Sequence, residues 1–412
     1  MLQYKNNALY LEQLLVSDIA DQIGTPLYLY SITQLKANYL QYQSAFAGQN
    51  ALICFAVKAN PNLAILKALA NFGAGADCVS EGEIRKVITA GIAASKIVFS
   101  GVGKTEEELK YALAQDILQF NIESLPELHL LNSIAINANK KARVSIRINV
   151  DVDSKTHHKI TTGLKSNKFG IDIELLPEVI TAVTTMPAIQ LQGLSVHIGS
   201  QITSLEPYKQ AYSKLIAAAK TLPDKIKYLD LGGGLGVSYS QESPPSIAEY
   251  ASMVRELFSS LGCKLIIEPG RSLVADIGIL IARVVYIKST STKNFLILDA
   301  GMNDILRQSL YDAYHEIIPL LLDGGVINKY DVVGPICESS DVFAYDMALP
   351  MLKAGDLVAF KHAGAYGSSM SSSYNSRLLI PEVIVSGDKF AVTRPRPTYQ
   401  DMLDLEKVPK WL

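Results

Sequence analysis

Cysteine is scarce in this sequence, and its scarcity narrows the field. The four present, Cys54, Cys78, Cys263 and Cys337, lie far apart and form neither a CxxC pair nor a cluster with metal-ligand spacing. A disulfide scaffold and a cysteine-built metal centre are therefore disfavoured, and free thiols in a reducing cytoplasm are expected. An excess of charge of either sign is also missing. The 38 basic residues against 40 acidic leave a formal net charge of −2, which recommends neither nucleic acid nor an anionic membrane as a partner. Long apolar runs are lacking too. The longest, 277–287, is too short to span a bilayer and is broken by Arg283. No basic apolar leader opens the chain, consistent with a cytoplasmic location. There is no low-complexity tract and no solenoid-type repeat.

What the chain does have is a rhythm. Apolar, β-rich runs recur at 52–57, 76–79, 97–99, 117–120, 143–150, 192–198, 228–231 and 264–267. Helical patterns lie between most of them, at 63–71, 81–90, 105–115, 125–138, 174–184, 207–221 and 247–261. About eight strands alternating with helices predict an α/β protein with a parallel sheet, most simply a (β/α)8 barrel over 32–270. A doubly wound open sheet competes, and the strand count and the placement of polar residues favour the barrel. After Gly270 the pattern changes to strands at 279–288, 295–299, 331–333, 357–360, 382–385 and 389–392, with one helical insert expected near 304–321. Residues 1–31 and 271–412 are thus expected to form a second, mostly antiparallel β-barrel or sandwich domain, the N-terminal strands joining its sheet. The run Thr25-Pro26-Leu27-Tyr28-Leu29-Tyr30 reads as one such strand, with Ser31 or Thr33 capping the helix that follows.

Barrel proteins carry their chemistry at the carboxyl ends of strands, and the unusual polar residues here fall there. Lys58 follows the first strand, in Phe55-Ala56-Val57-Lys58-Ala59-Asn60. His197 ends the sixth, Gly232-Gly233-Gly234 follows the seventh, and Glu268-Pro269-Gly270-Arg271 follows the eighth. Taken singly, each has an ordinary explanation: a snorkelling lysine, a satisfied core histidine, a glycine turn, a surface ion pair. Taken together around one barrel mouth, they point to chemistry. Burial of the lysine favours the neutral amine and hence a Schiff-base nucleophile. A glycine triplet after the seventh strand lets backbone amides approach a phosphate, at the usual barrel phosphate site. A glutamate nearby suits a pyridine nitrogen, and so pyridoxal 5′-phosphate is the cofactor these ends suggest.

These segments together resemble the barrel-type pyridoxal-phosphate decarboxylases, including His197-Ile198-Gly199-Ser200. Gly334-Pro335-Ile336-Cys337-Glu338-Ser339-Ser340-Asp341, Thr161-Thr162-Gly163 with Lys168-Phe169-Gly170, and Leu310-Tyr311-Asp312-Ala313-Tyr314-His315 narrow the likeness to the diaminopimelate branch of that family. The likeness runs in order from about Thr25 to about Tyr399. It implies that Lys58 holds the cofactor, His197 stacks on its ring and Glu268 faces its pyridine nitrogen. It places Ser200, Gly233, Gly234 and the Pro269-Gly270-Arg271 segment at the phosphate. It gives the substrate's distal carboxylate to Arg271, Arg307 and Tyr311, lets Tyr366 contact both cofactor and substrate, and brings Cys337 and Glu338 in from the partner subunit of a homodimer. The implied activity is decarboxylation of a small amino acid, the last step of lysine formation, with no metal.

The residue types suit those roles. Guanidinium forks and a phenol fit a carboxylate, a glutamate fits an ammonium, and a thiol can return a proton to carbon. Cysteine is more often an inert buried thiol, but the polar run that follows Cys337 argues against that here. Decarboxylases acting on ornithine, lysine or arginine are the nearest rivals, and their substrates leave Arg307 and Tyr311 little to bind. A racemase-like enzyme would be expected to place an arginine where Glu268 stands. A non-catalytic cofactor carrier would be expected to lack the second domain, and an inactive homologue to lack Lys58 or Cys337. A decarboxylase of carrier-bound amino acids is the remaining alternative.

Overall fold

A computed structural model describes residues 2–154, 156–222 and 226–412. The chain divides into two compact units, 36–273 and 1–35 with 274–412.

The 36–273 unit is a parallel barrel. Its strands are Ala51–Ala56, Gly75–Cys78, Ile97–Phe99, Gln119–Ile122, Ala142–Asn149, Ile189–Ser195, Tyr228–Asp230 and Lys264–Ile267. Each is hydrogen-bonded in parallel to the next, and the last pairs with the first, so no edge is left open. The expected alternation is therefore present, with boundaries shifted by up to three residues. The helices start where the sequence supplies caps. Asn62 accepts the Ala64 N–H ahead of Leu63–Phe72, and Ser80 accepts the Glu83 N–H ahead of Glu81–Ala90. Thr105 with Glu108, and Ser246 with Glu249, form reciprocal capping boxes. Gly73 and Gly91 end their helices in the left-handed conformation.

The barrel interior is apolar toward the amino ends of the strands, where Cys54, Val98, Leu118 and Ile266 pack together. It turns polar toward the carboxyl ends. Asp77, Asn121, Ser145, Arg147, Ser195 and Asp230 are all buried there. The register sets Asp77 opposite Ala56, Asn121 opposite Ser145, and Ser195 opposite Asp230. Buried polar groups at this density must satisfy one another or a ligand.

The other unit is a nine-stranded mixed sheet with a small three-stranded sheet at 2–15. Most pairings in the larger sheet are antiparallel, with Asn294–Leu298 on Ile327–Val333 and Glu382–Ser386 on Leu27–Ser31 as parallel exceptions. Of the N-terminal strands only Leu27–Ser31 joins it, and Ser31 Oγ accepts the Gln34 N–H as the helix after it begins. Leu9, Leu29, Ile281, Ala359 and Val383 are among its buried core.

Two expectations are corrected here. The helical insert near 304–321 is only Arg307–Tyr311. Asp312 takes a left-handed conformation that stops it, and Ile317–Pro319 then pairs as a strand with Leu357–Phe360. The β-branched pair Ile317-Ile318 followed by a proline favours that outcome. A long strand, Val342–Pro350, was not foreseen. Its polar Asp346 sits at positive φ with its N–H given to the Asp331 carboxylate, in a stretch where the register with its neighbour shifts. That irregularity breaks the two-residue alternation a strand is read from.

Candidate active site

A cleft of about 350 Å³ opens at the carboxyl ends of the barrel strands, and Lys58, Asp77, Asn121, His197, Asp230 and Glu268 are among its lining residues. Three of the expected residues, from three different strand ends, thus meet in one place.

Lys58 lies in a single helical turn, Val57–Ala59, that ends the first strand. Its side chain is 36% exposed, and Nζ is 3.0 Å from Oδ2 of the fully buried Asp77. The burial argument for a neutral amine does not describe this lysine. An ion pair holds it, and the cleft leaves it accessible.

His197 is held on one side by the Gly233 N–H, which donates to Nδ1 at 3.2 Å. The ring is therefore neutral with its proton on Nε2. Burial, with Lys58 and Arg147 nearby, holds its pKa well below 6.5. Its backbone carbonyl accepts the Thr162 hydroxyl at 3.0 Å, which ties the Thr161-Thr162-Gly163 segment to the cleft. On the same side, the Arg147 guanidinium lies over the Phe169 ring, 5.0 Å from its centre.

The glycine triplet is required by close approach. A Cβ on Gly233 would lie 2.0 Å from the Glu268 carbonyl oxygen. Gly232 and Gly234 both have positive φ, and Cβ atoms there would meet the Val196 and Gly199 carbonyl oxygens at 2.4 Å. The Glu268 N–H donates to the Gly232 carbonyl at 2.7 Å, joining the loops after the seventh and eighth strands. The Pro269 carbonyl accepts the Ala56 N–H at 3.0 Å, bringing the first strand end to the same place. The Gly233 amide serves His197 in this structure rather than pointing outward as a phosphate donor.

Glu268 and Asp230 form a hydrogen-bonded carboxyl pair deep in the cleft. Burial raises both, Asp230 to about 6 and Glu268 well above the ordinary carboxylate value, and Asp230 raises Glu268 further. Asp230 also accepts the Asn121 side-chain N–H at 2.9 Å and the Gly232 N–H at 3.0 Å. A second cluster joins the expected phosphate residues: Arg271 donates to Ser200 Oγ at 3.0 Å and to the Tyr239 hydroxyl at 2.9 Å. The Gly270 carbonyl accepts the Leu273 N–H, which turns the chain just past Glu268.

The remaining expected residues belong to the other unit. Arg307 is buried and donates to His315 Nε2 at 2.8 Å, while His315 Nδ1–H donates to the Lys361 carbonyl at 2.9 Å. An arginine can only donate and a carbonyl can only accept, so this chain of contacts sets the imidazole tautomer. Tyr311 ends the same short helix and is half-buried. Cys337 is exposed, and its backbone N–H donates to Asn375 Oδ1 at 2.9 Å. Glu338 accepts hydrogen bonds from Ser340 and the Tyr374 hydroxyl, which hold its carboxyl below the ordinary range. The Asp341 carboxylate accepts the N–H groups of Met302 and Ile336, each at 2.7 Å, and so shapes the loop that carries both residues. A Cβ on Gly334 would strike that carboxylate at 2.3 Å. Tyr366 takes a left-handed backbone conformation, φ 57°, beside Gly367.

Several residues had no role in the sequence reading: Asp77, Asn121, Asp230 and Arg147 in the barrel, and, separately, His315 and Asn375 in the other unit. Asp77, Arg147 and Asp230 were hidden inside runs read as strands, and Asn121 falls one residue beyond the run at 117–120. A polar residue interrupting an apolar run, as in Leu229-Asp230-Leu231, was the available signal.

The pyridoxal-dependent decarboxylase pyridoxal binding domain matches residues 32–275. The chain is 45% identical to diaminopimelate decarboxylase of Zymomonas mobilis, over 99% of both chains. It is 45% identical to that of Haemophilus influenzae, over 98% of both. Among solved structures, the diaminopimelate decarboxylase of Helicobacter pylori, crystallised with L-lysine, is 44% identical at a TM-score of 0.91, over 94% of this chain and 98% of that one. The enzyme of M. jannaschii superposes at 0.95 with 36% identity, over 100% and 98%.

Proposed function

The chain belongs to the pyridoxal-dependent decarboxylases, in their diaminopimelate branch, and from that membership we propose that it releases one carboxyl group of meso-2,6-diaminopimelate as carbon dioxide and leaves L-lysine. The observation that carries the reading is the convergence of Lys58, His197 and Glu268 on one cleft.

The residues present fit pyridoxal 5′-phosphate. The cleft has the volume of a small-molecule site. Glu268 Oε1 is buried with no ordinary donor in reach, as expected of an acid waiting for a partner. The glycines stand where any side chain would collide. Lys58 would hold the cofactor by Nζ, His197 would cover one face of its ring, and Glu268 would meet its nitrogen. Ser200, Gly233, Gly234, Pro269, Gly270 and Arg271 would surround its phosphate, and Tyr366 would close on it and on the substrate. When bound, the cofactor supplies an electron sink conjugated with the substrate's α-carbon.

The protein's own groups do the rest. Arg307, Tyr311 and Arg271 fix the distal carboxylate, and Glu338 takes the distal ammonium. Together they decide which end of a symmetric diamino diacid enters the reacting position. Cys337 Sγ returns a proton to the α-carbon after carbon dioxide leaves. Cys337 and Glu338 lie in the β domain of 1–31 and 271–412, and in this reading they complete the barrel site of a second copy, in a two-fold homodimer in the cytoplasm. The test is carbon dioxide release from a panel of meso-diaminopimelate, L-lysine and L-ornithine. Diaminopimelate is expected to have much the highest kcat/KM, and faster turnover of lysine or ornithine would overturn the assignment.

A further inference from the structure

Glu268 and Asp230 share a hydrogen bond, which two ionised carboxylates cannot make. A proton must therefore lie between them, while Glu268 Oε1 is buried with no partner among the described residues. The surroundings decide where it sits. Asp230 already accepts from Asn121 and from the Gly232 amide, both of which favour its ionised form. Asn121 in turn donates to Ser100 Oγ and accepts from Gln119, so the amide presented to Asp230 is fixed by a buried chain of contacts. Among the described residues no comparable donor meets Glu268 Oε1, so Glu268 carries the proton. The nearby Lys58 is ion-paired with Asp77. Other titratable groups near the pair are the Cys54 thiol and the Tyr250 and Tyr212 phenols, all pushed upward by burial and by these acids, and the neutral His197 in the same cleft.

We infer that Asp230 is a positioning residue that acts through Glu268: fixed by Asn121 and Gly232, it grips the Glu268 carboxyl and sets how that carboxyl meets the cofactor's ring nitrogen. This rests on the role proposed for Glu268 above. With one proton for two acids, the pair carries a single negative charge, matched to the single positive charge of a protonated ring nitrogen. Asp230 strengthens the hold on that proton without touching the cofactor.

The experiment uses the full-length enzyme and its Asp230→Ala, Asp230→Asn, Glu268→Gln and Asp230→Ala/Glu268→Gln variants, with circular dichroism as the check on folding. Three quantities are read: affinity of the cofactor-free protein for pyridoxal 5′-phosphate, the pH midpoint of the bound cofactor's absorbance change, and kcat and KM separately. Asp230→Ala is expected to lower kcat with little change in KM. The double variant should be within about twofold of Glu268→Gln alone, because both substitutions break one unit. Asp230→Asn keeps the shape and can donate to Glu268. It should recover much of the lost kcat and keep wild-type cofactor affinity, yet move the absorbance midpoint to higher pH, since the pair's one negative charge then sits on Glu268, nearer the ring, instead of on Asp230. Losses that multiply in the double variant, or an Asp230→Asn midpoint equal to wild type, overturn the inference. If Asp230→Ala does not fold, Asp230→Asn and its combination with Glu268→Gln decide the matter by the same two criteria. A wild-type protein that takes up no cofactor overturns the functional reading and this inference with it. A loaded, active wild type with multiplicative losses overturns this inference alone.

Discussion

Arg307→Ala separates a cost to stability, visible in the structure, from a cost to specificity that the proposed function gives the same side chain. The first is to stability. Arg307 is buried and donates to His315 Nε2 at 2.8 Å, and His315 is itself buried and anchored to the Lys361 carbonyl. Truncation strips a buried acceptor of its charged donor, at a cost of about 1–3 kcal/mol. The second is to specificity. A charge-assisted contact to the distal carboxylate is worth about 2–4 kcal/mol in the transition state, or roughly 30- to 900-fold in kcat/KM. Only the second depends on the substrate. Chemical denaturation measures the first, and initial rates with meso-diaminopimelate and with L-lysine, which lacks the distal carboxylate, measure the second. The expected result is a steep loss for diaminopimelate and a small one for lysine. Arg307→Lys should fall between, because it keeps the charge and loses the fork. Equal fold-losses for the two substrates would refute the assignment and leave Arg307 a structural residue.

Borohydride reduction of the loaded protein should fix the cofactor to the peptide carrying Lys58, and label on another lysine would remove Lys58 from its role. Glu83 is half-buried and its pKa is raised from 4.5 to about 7, mainly by loss of solvent around it. Its folded-state pKa lies above its unfolded value, so its contribution to stability is full below about pH 4.5 and is lost as pH rises through 7. Glu83→Gln should accordingly lose less stability than wild type between pH 5 and 8 in denaturation curves, about those limits being set by the linkage, and parallel curves would show that Glu83 is not the group responsible. Mixing inactive Lys58→Ala and Cys337→Ala chains should restore about a quarter of wild-type activity after subunit exchange, because half the dimers are mixed and each has one intact site; no recovery after confirmed exchange would place Cys337 in the same chain's site.

The barrel was legible because its strands and helices differ in period and alternate in order. Several strand ends brought a cap for the next helix, as at Asn62, Ser80 and Thr105, so local and global signals agreed there. The β unit was less legible. Its pairings are non-local, and Val342–Pro350 takes its strand character from its neighbour rather than from its own pattern. A five-residue helix stopped by one left-handed residue, as at Asp312, leaves no periodicity to read.

The candidate site divides along the same line. Lys58, His197, the glycine triplet and Glu268 stand at strand ends, where a polar or flexible residue is conspicuous against an apolar run. Asp77, Asn121 and Asp230 lie within the strands themselves, on the inward face. In an ordinary sheet a buried aspartate at such a position costs several kcal/mol unless paired. A barrel mouth changes that, because inward residues of different strands converge: Lys58 pairs with Asp77 Oδ2, and Asn121, Gly232 and Glu268 meet Asp230. The register that brings Ser195 level with Asp230, and Asn121 level with Ser145, is a property of the closed sheet and of no single segment. The visible strand-end residues therefore mark the cleft, while the buried acids behind them set the charge within it. The second group became readable only once eight strands had closed.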